Sequence, residues 1–405
     1  MLMLVRSIGS CPKTAAATRV LPLSIPHHHN HYRVLPPFSS IPLFNSTPSL
    51  IFPSPTPSSS SSSNSIQVKK HHHHHLLSQS SKLNTPMVSL LVATTSDPAS
   101  INPANALLAM PGWQPGPHFQ DDMKSFCNEG VRVLLHGKSI VVEDDLDKRW
   151  EEKTGEVVDE VIFFSKHTAV SNKPALTVHP IGVPHLREGD VPPQGGKPGW
   201  AALPSPRMGP WLRHLKKLAQ ARNLVPEFEI TLEATHHGPF TDKPTMFLEI
   251  GSTEDYWNRQ DAAQVMAQLV WEGLGLGGGT DVGNWSRSCR ENDKKKVLLG
   301  IGGGHYAPRH MDVVLKGDVW VGHLLSGYSI PMEDPNQEKG EATAEIGGTW
   351  RHSILAAYEA TRDAFPGGEI LAHLDQKSFK SWQKNAITAF LTEQNIQIGK
   401  PANFH

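Results

Sequence analysis

Short apolar runs rich in β-branched residues recur along the chain from Met87 onward, and each predicts a strand: 88–93, 131–135, 157–164, 175–183, 228–232, 246–250, 297–301, 319–325 and 370–374. Between them lie stretches of helical periodicity at 208–222, 255–274, 350–362 and 379–394. A further helix opens at Ser96-Asp97-Pro98, a capping side chain followed by a preset dihedral, and runs to Met110, where Pro111 ends it. Strands alternating with helices predict an α/β fold: a mixed, mainly parallel central sheet with helices on both faces. Two loops interrupt the alternation. Residues 187–206 are dense in Pro and Gly and too long for a simple connection, which makes them a candidate lid or binding loop. Residues 273–283 hold six glycines and no strand pattern. No repeat occurs at a solenoid period, so 87–405 reads as one domain with insertions.

The first 86 residues break this pattern. They hold no Asp or Glu, seven of the 38 Lys and Arg, nine of the 23 His and the serine run 58–63. Ser-rich and acid-free composition is that of a disordered low-complexity extension, and it fits an organelle transit peptide as well as an idle leader with Met87 as the working start. The first case places the protein in a chloroplast or mitochondrion, the second in the cytoplasm and also the nucleus. Beyond residue 86 the chain carries 31 basic and 39 acidic side chains, a net charge of −8. That argues against a broadly basic nucleic-acid surface and requires any nucleic-acid contact to be local. Three cysteines give neither a disulfide framework nor a CxxC pair, and no run of eighteen apolar residues predicts a membrane span.

Several common motifs fail on context. Gly273, Gly275 and Gly278 have the spacing of a dinucleotide fingerprint but follow a helix, where that fingerprint must follow a strand. Gly137-Lys138-Ser139 resembles the end of a phosphate-binding loop whose first glycine would fall on Arg132. HExxH, GxSxG and kinase signatures are missing.

The chemistry concentrates in histidines near strand ends. Glu233-Ala-Thr-His236-His237-Gly-Pro follows the run 228–232 and brings a carboxylate and two imidazoles into five residues, suited to a general base, a metal ligand or both. Gly300-Ile-Gly302-Gly303-Gly304-His305-Tyr-Ala-Pro-Arg309-His310 follows the run 297–299, and its glycines bring backbone N–H groups close to a phosphate or an oxyanion. Glu249, at the end of 246–250, is placed for charge work on a histidine. Glu254 reads as a helix-terminus charge. Lys166-His167, His179, His323 and His373 each put one histidine at an apolar run, a pattern more often met in hydrogen-bonded core residues than in ligands.

The strings FFSKHTAVSNKPALTVHPIG, EATHHGPFTDKPTMFLEIGSTEDYW, GIGGGHYAPRH and AHLDQKS, in that order, resemble the archaeal and plant D-aminoacyl-tRNA deacylase family, known in plants as GEKO. The resemblance runs from Met87 to the C-terminus and leaves residues 1–86 outside. It implies a phosphorylase-like or peptidyl-tRNA-hydrolase-like fold and zinc association. It also implies hydrolysis of the ester that joins a D-amino acid to tRNA, and a link in plants to tolerance of ethanol and its aldehyde.

On that reading His236 and His237, backed by Glu233 or Glu249, bind zinc or act as base, with His167 and His179 as further metal ligands. His305 and the Gly302–Gly304 amides hold the ester or terminal phosphate, with Lys166, Arg309 and His310 as further substrate contacts. Phosphate contacts are sought among Lys166, Lys173, Arg207, Arg213, Lys216, Lys217, Arg287, Arg290, Lys294, Lys295, Lys296 and Arg309. The expected partner is tRNA charged with a D-amino acid, with no membrane, and the chain is a monomer or homodimer. Two rivals remain: a zinc-assisted peptidyl-tRNA hydrolase or peptidase on the same scaffold, and a tRNA-binding module without turnover.

Overall fold

The structure, a computed structural model, describes residues 87–286, 288–292, 294–335 and 346–405, so the extension 1–86 lies outside the described residues. The first half runs β1 (Met87–Thr94), α1 (Pro98–Leu108), β2 (Gln114–Pro115), β3 (Met123–Asn128), β4 (Val131–His136), α2 (Leu146–Thr154), β5 (Val157–Lys166), β6 (Ala175–His179), α3 (Met208–Ala221), β7 (Glu229–Leu232) and β8 (Thr245–Gly251). It continues with α4 (Glu254–Trp257), α5 (Gln260–Gly273), β9 (Lys296–Ile301), α6 (Pro308–Val314), β10 (Trp320–Leu325), α7 (Trp350–Ala364), β11 (Glu369–Leu374) and α8 (Ser381–Glu393). Each apolar run of the sequence is a strand. The helix expected over 255–274 divides into α4 and α5 where Arg259 turns extended, its guanidinium gripping Glu227 at 2.6 Å and Asp261 at 2.8 Å.

Eight strands form one mixed sheet in the order β2-β3-β4-β1-β5-β8-β6-β7, and three form a second, parallel sheet in the order β10-β9-β11. β4, β1, β5 and β8 run parallel, and β8 is buried along its whole length, as expected of a strand covered on both faces. Helix α3 supplies part of that cover: Trp211, Leu212 and Leu215, spaced for one helical face, are fully buried. Burying each leucine contributes roughly 1.5–3 kcal/mol. Among the described residues no helix is long and apolar enough to cross a membrane.

One feature of the topology positions the site. β6 pairs antiparallel with β8, and β7 pairs parallel with β6, so both run against the parallel strands β4, β1, β5 and β8. The C-terminal end of β6 therefore lies alongside the middle of β8, with His179 opposite Phe247 and Thr177 opposite Glu249. The segment leaving β7 then joins the two sheets: Ala234 N–H donates to His305 O at 2.7 Å and Thr235 N–H to Leu324 O at 2.7 Å. His323, on β10, rivets this junction with Nδ1 2.9 Å from Thr235 Oγ1 and Nε2 2.7 Å from Ala202 O.

Candidate active site

At the junction of the sheets seven titratable side chains converge: His167, His179, Glu233, His236, His237, Glu249 and His305. Each arrives by a traceable route. His167 extends β5, its N–H donating to Ile250 O at 3.1 Å, and Glu233 extends β7, its N–H donating to Val178 O at 3.1 Å. Residues directly opposite in register share a face of a sheet, so Glu249, Thr177 and His179 stand on one side of β8 and β6. His237 has φ of +25° and Gly238 φ of +101°, a turn that folds both imidazoles back over that face. The glycine is required there, because a Cβ would run into the Ile181 side chain.

Two carboxylates organise the histidines. Glu233 Oε1 lies 2.9 Å from His167 Nδ1, and its Oε2 lies 2.8 Å from His305 Nε2 and 3.5 Å from His236 Nε2. Glu249 Oε1 lies 3.5 Å from His179 Nε2 and 4.0 Å from His237 Nε2, and its Oε2 lies 3.7 Å from His167 Nδ1. A second tier holds the rings: Tyr306 OH is 2.8 Å from His167 Nε2, Tyr328 OH is 3.0 Å from His305 Nδ1, and His236 Nδ1 is 2.7 Å from Ala234 O.

Charge is balanced within the cluster. Burial opposes the charged form of His167, but the two glutamates outweigh it and raise its pKa to about 10; Glu249 does the same, in direction, for His179. Burial would raise both carboxyls, yet their histidines hold them ionised below the usual range. His236 and His237 are pushed well below 6.5 by burial and the neighbouring imidazoles, so both are neutral at pH 7. Two anions are thus matched by two protons.

That arrangement fits a divalent cation, whose charge can replace the two protons on binding. Donor atoms of His179, His236 and His237 lie within 4.8 Å of one another, as do those of His167, Glu233 and His305. His237 Nδ1 is buried without a hydrogen bond, and His179 Nε2 and Glu249 Oε1 are buried with only the 3.5 Å contact to each other as a near partner. Buried polar atoms left without a partner are rare and call for a ligand. Imidazole and carboxylate are donors that suit zinc.

Above the cluster opens a pocket of about 420 Å³, whose lining includes His167, His236, His237, Glu249 and His305, with Asp97 and Lys166 on an adjoining wall. Gln194 of the long 187–206 loop also reaches it. The other sequence candidates lie behind the Gly-rich loop. His310 is buried, with Nδ1 2.8 Å from His373 Nδ1 and Nε2 3.1 Å from Gly302 O, and burial together with His373 lowers its pKa to about 4. Arg309 sits 3.3 Å from Asp375, and Gly303 N–H donates to Ser378 Oγ at 2.7 Å, which commits that amide. Gly304 faces open space.

Of the basic candidates, Arg207 is buried against Glu160 at 2.8 Å and against Asp281, and it ties down the glycine loop through Gly273 O at 3.0 Å. Arg213 donates to Val319 O at 2.9 Å. Lys296 pairs with Glu369 at the start of β9, the end away from His305. Arg287 and the Arg290 side chain lie outside the described residues. The sequence reading did not single out Tyr306, Tyr328 or Gln194. Tyr306 adjoins His305 and was within reach of it, whereas Tyr328 and Gln194 carry no sequence signal.

The sequence model of the D-aminoacyl-tRNA deacylase family matches residues 154–399. A D-aminoacyl-tRNA deacylase of Arabidopsis thaliana is 72% identical over 319 residues, which is 78% of this chain and 100% of the relative. One from Pyrococcus horikoshii is 30% identical over 246 residues, 60% of this chain and 82% of the relative. The crystal structure of a conserved protein of unknown function superposes with a TM-score of 0.60 at 24% identity, covering 78% of this chain and 96% of that one, and has the same fold.

Proposed function

The chain belongs to the D-aminoacyl-tRNA deacylase family and hydrolyses the ester of D-aminoacyl-tRNA to free D-amino acid and tRNA, and we propose that the histidine–carboxylate cluster at the sheet junction is where it does so. The observation that carries this reading is five imidazoles and two buried carboxylates meeting under one pocket, with ring and carboxylate atoms close enough together to hold a metal ion. A set so dense in titratable groups is suited to catalysis more than to passive binding.

Hydrolysis forms a bond from water oxygen to the acyl carbon and breaks the bond from that carbon to the ribose oxygen. His305 is placed to move the proton. Glu233 Oε2, 2.8 Å from Nε2, fixes the hydrogen there and leaves the lone pair on Nδ1, the nitrogen that meets the Tyr328 hydroxyl. Nδ1 accepts the proton lost by water and returns it to the departing ribose oxygen. His236 and His237, held neutral, would serve with His179 as the metal donors, which leaves Glu233 to orient His305. Zinc bound there supplies Lewis-acid assistance to ester hydrolysis at neutral pH. Glu249 holds His179 and His237 in place.

The tRNA enters past the rim where residues 375–380 wrap the Gly302–Gly303 turn. Lys377 and Lys380 are exposed there and offer local positive charge on an acidic body. The amine of the substrate is not a reacting atom, so the same chemistry extends to D-aminoacyl groups whose amine an aldehyde has left alkylated and still positively charged, the link to ethanol tolerance.

Hydrolysis of D-tyrosyl-tRNA and of N-blocked L-peptidyl-tRNA, by the wild type and by His237→Ala, tests this reading. Rapid loss of the D-ester, an intact peptidyl-tRNA and a folded but at least roughly 100-fold slower variant are expected. Preferred cleavage of peptidyl-tRNA, or full activity in His237→Ala, would overturn it.

A further inference from the structure

Two carboxylates line the pocket, and only one of them is held by histidines. Glu249 faces His167, His179 and His237. Asp97, on the wall made by the end of β1 and the start of α1, faces none of them within ion-pair distance. Its Oδ1 accepts from Ala99 N–H at 3.1 Å and so caps α1. Its Oδ2 points to Lys166 Nζ at 3.5 Å, longer than a good hydrogen bond. The lysine is half-exposed and stands over the Trp257 ring at 5.1 Å, so solvent can take it up. Asp97 itself is 9% exposed.

An aminoacyl ester carries an α-ammonium one bond from the carbon that bears the reacting carbonyl. Moving that charge from water into a pocket is costly unless a carboxylate receives it, and a charge-assisted hydrogen bond is the strong kind. Accepting the substrate reading above, we propose that Asp97 is a specificity-determining residue that receives the α-ammonium of the substrate on Oδ2, displacing Lys166. The cluster fixes the ester carbonyl and Asp97 fixes the ammonium, which pins two substituents of the chiral carbon. Only the hydrogen and the side chain are then free to exchange, and the two enantiomers send the side chain in opposite directions. One of those directions meets the wall carrying Ile140 and Val141, backed so closely by Gly195 that no Cβ fits between them. With the anchor in place, handedness becomes a difference in fit. Without it, the substrate can rotate and present either enantiomer.

Asp97→Asn separates this role from the capping role, because Asn is an equally good N-cap and lacks the charge. The variant is compared with wild type on three tRNA esters: D-tyrosyl, L-tyrosyl, and the D-configured ester in which a hydroxyl replaces the α-amine. The expected result is a loss of roughly 10- to 100-fold in kcat/KM on D-tyrosyl-tRNA, the size expected for one charge-assisted hydrogen bond. The loss falls mainly on KM, little changes on the hydroxy-acid ester, and the D-to-L ratio narrows. Asp97→Ser, which also caps, is expected to behave alike, and thermal unfolding verifies that both variants fold. Equal losses on the amino and hydroxy esters, or unchanged kinetics and D-to-L ratio, would overturn the proposal. A wild-type protein inert toward D-tyrosyl-tRNA would instead refute the deacylase reading, so the two failures are distinguishable.

Discussion

Replacing His323 should make the protein less sensitive to acid. This imidazole is fully buried where the second sheet meets the first, with Nε2 2.7 Å from Ala202 O and Nδ1 2.9 Å from the Thr235 hydroxyl. Those contacts suit one neutral tautomer, with Nε2–H donating and Nδ1 accepting. Burial lowers its pKa from 6.5 to about 4. Between those values the unfolded chain binds a proton that the folded chain refuses, so the contribution is complete above pH 6.5 and is lost as pH falls toward 4. A difference of about 2.5 units corresponds to roughly 3 kcal/mol in all, of which about 2 kcal/mol is gone at pH 5. Urea unfolding of wild type and His323→Gln at pH 7.5 and pH 5.0 measures it. Glutamine lacks the titration, so the variant is less stable at pH 7.5, but its loss on going to pH 5.0 is smaller than that of wild type by about 2 kcal/mol. His310 titrates in both proteins and cancels in the comparison. Identical acid losses would refute the assignment of a protonation-sensitive rivet to this position.

Arg207 is bound on three sides by Glu160, Asp281 and the Gly273 carbonyl, so Arg207→Ala strands buried charge and is expected to cost roughly 3–5 kcal/mol in chemical denaturation; a change under about 1 kcal/mol would contradict a structural role. Gly302→Ala forces a side chain onto a residue with φ of +91° and a Cβ position 2.6 Å from the Phe379 ring. It should displace the loop that carries His305 and lower kcat at least tenfold, and an unaffected enzyme would show that the loop has slack. Lys377→Glu with Lys380→Glu is expected to raise KM for D-aminoacyl-tRNA and to reduce the salt slope by about 0.7 per lost phosphate contact. Hydrolysis of a minimal D-aminoacyl-adenosine ester should be unchanged, and equal losses on both substrates would move the tRNA path elsewhere.

The parts of the fold legible in the sequence were those written in apolar periodicity. β1, β4, β5, β8 and β9 are nearly continuous hydrophobic runs because both faces of each are covered, and they stood out for that reason. β3, reading MKSFCN, and α2, reading LDKRWEEKT, are mostly polar and left no such trace. An apolar run has no direction, so the reversal of β6 and β7 could not be read, and neither could the separation of β9, β10 and β11 into their own sheet. The site was divided in the same way. Glu233-Ala-Thr-His236-His237 announced itself by local density, whereas the approach of His167 and His179 depends on that reversal. His305 and His310 looked alike as histidines of one Gly-rich segment, but a single turn of α6 turns His310 inward against His373. Asp97 reads as a helix cap, and only the pocket reveals its second oxygen.

The central claim is that D-specific ester hydrolysis occurs at the cluster of His167, His179, Glu233, His236, His237, Glu249 and His305 with a metal ion in it. The most direct measurement is deacylation of matched D- and L-tyrosyl-tRNA by the protein as purified, after chelation, and after return of zinc, with metal content determined at each stage. The account predicts fast loss of the D-ester alone, its abolition with the metal and its recovery with zinc. Full D-ester hydrolysis by metal-free protein, or equal rates on the two enantiomers, would contradict it.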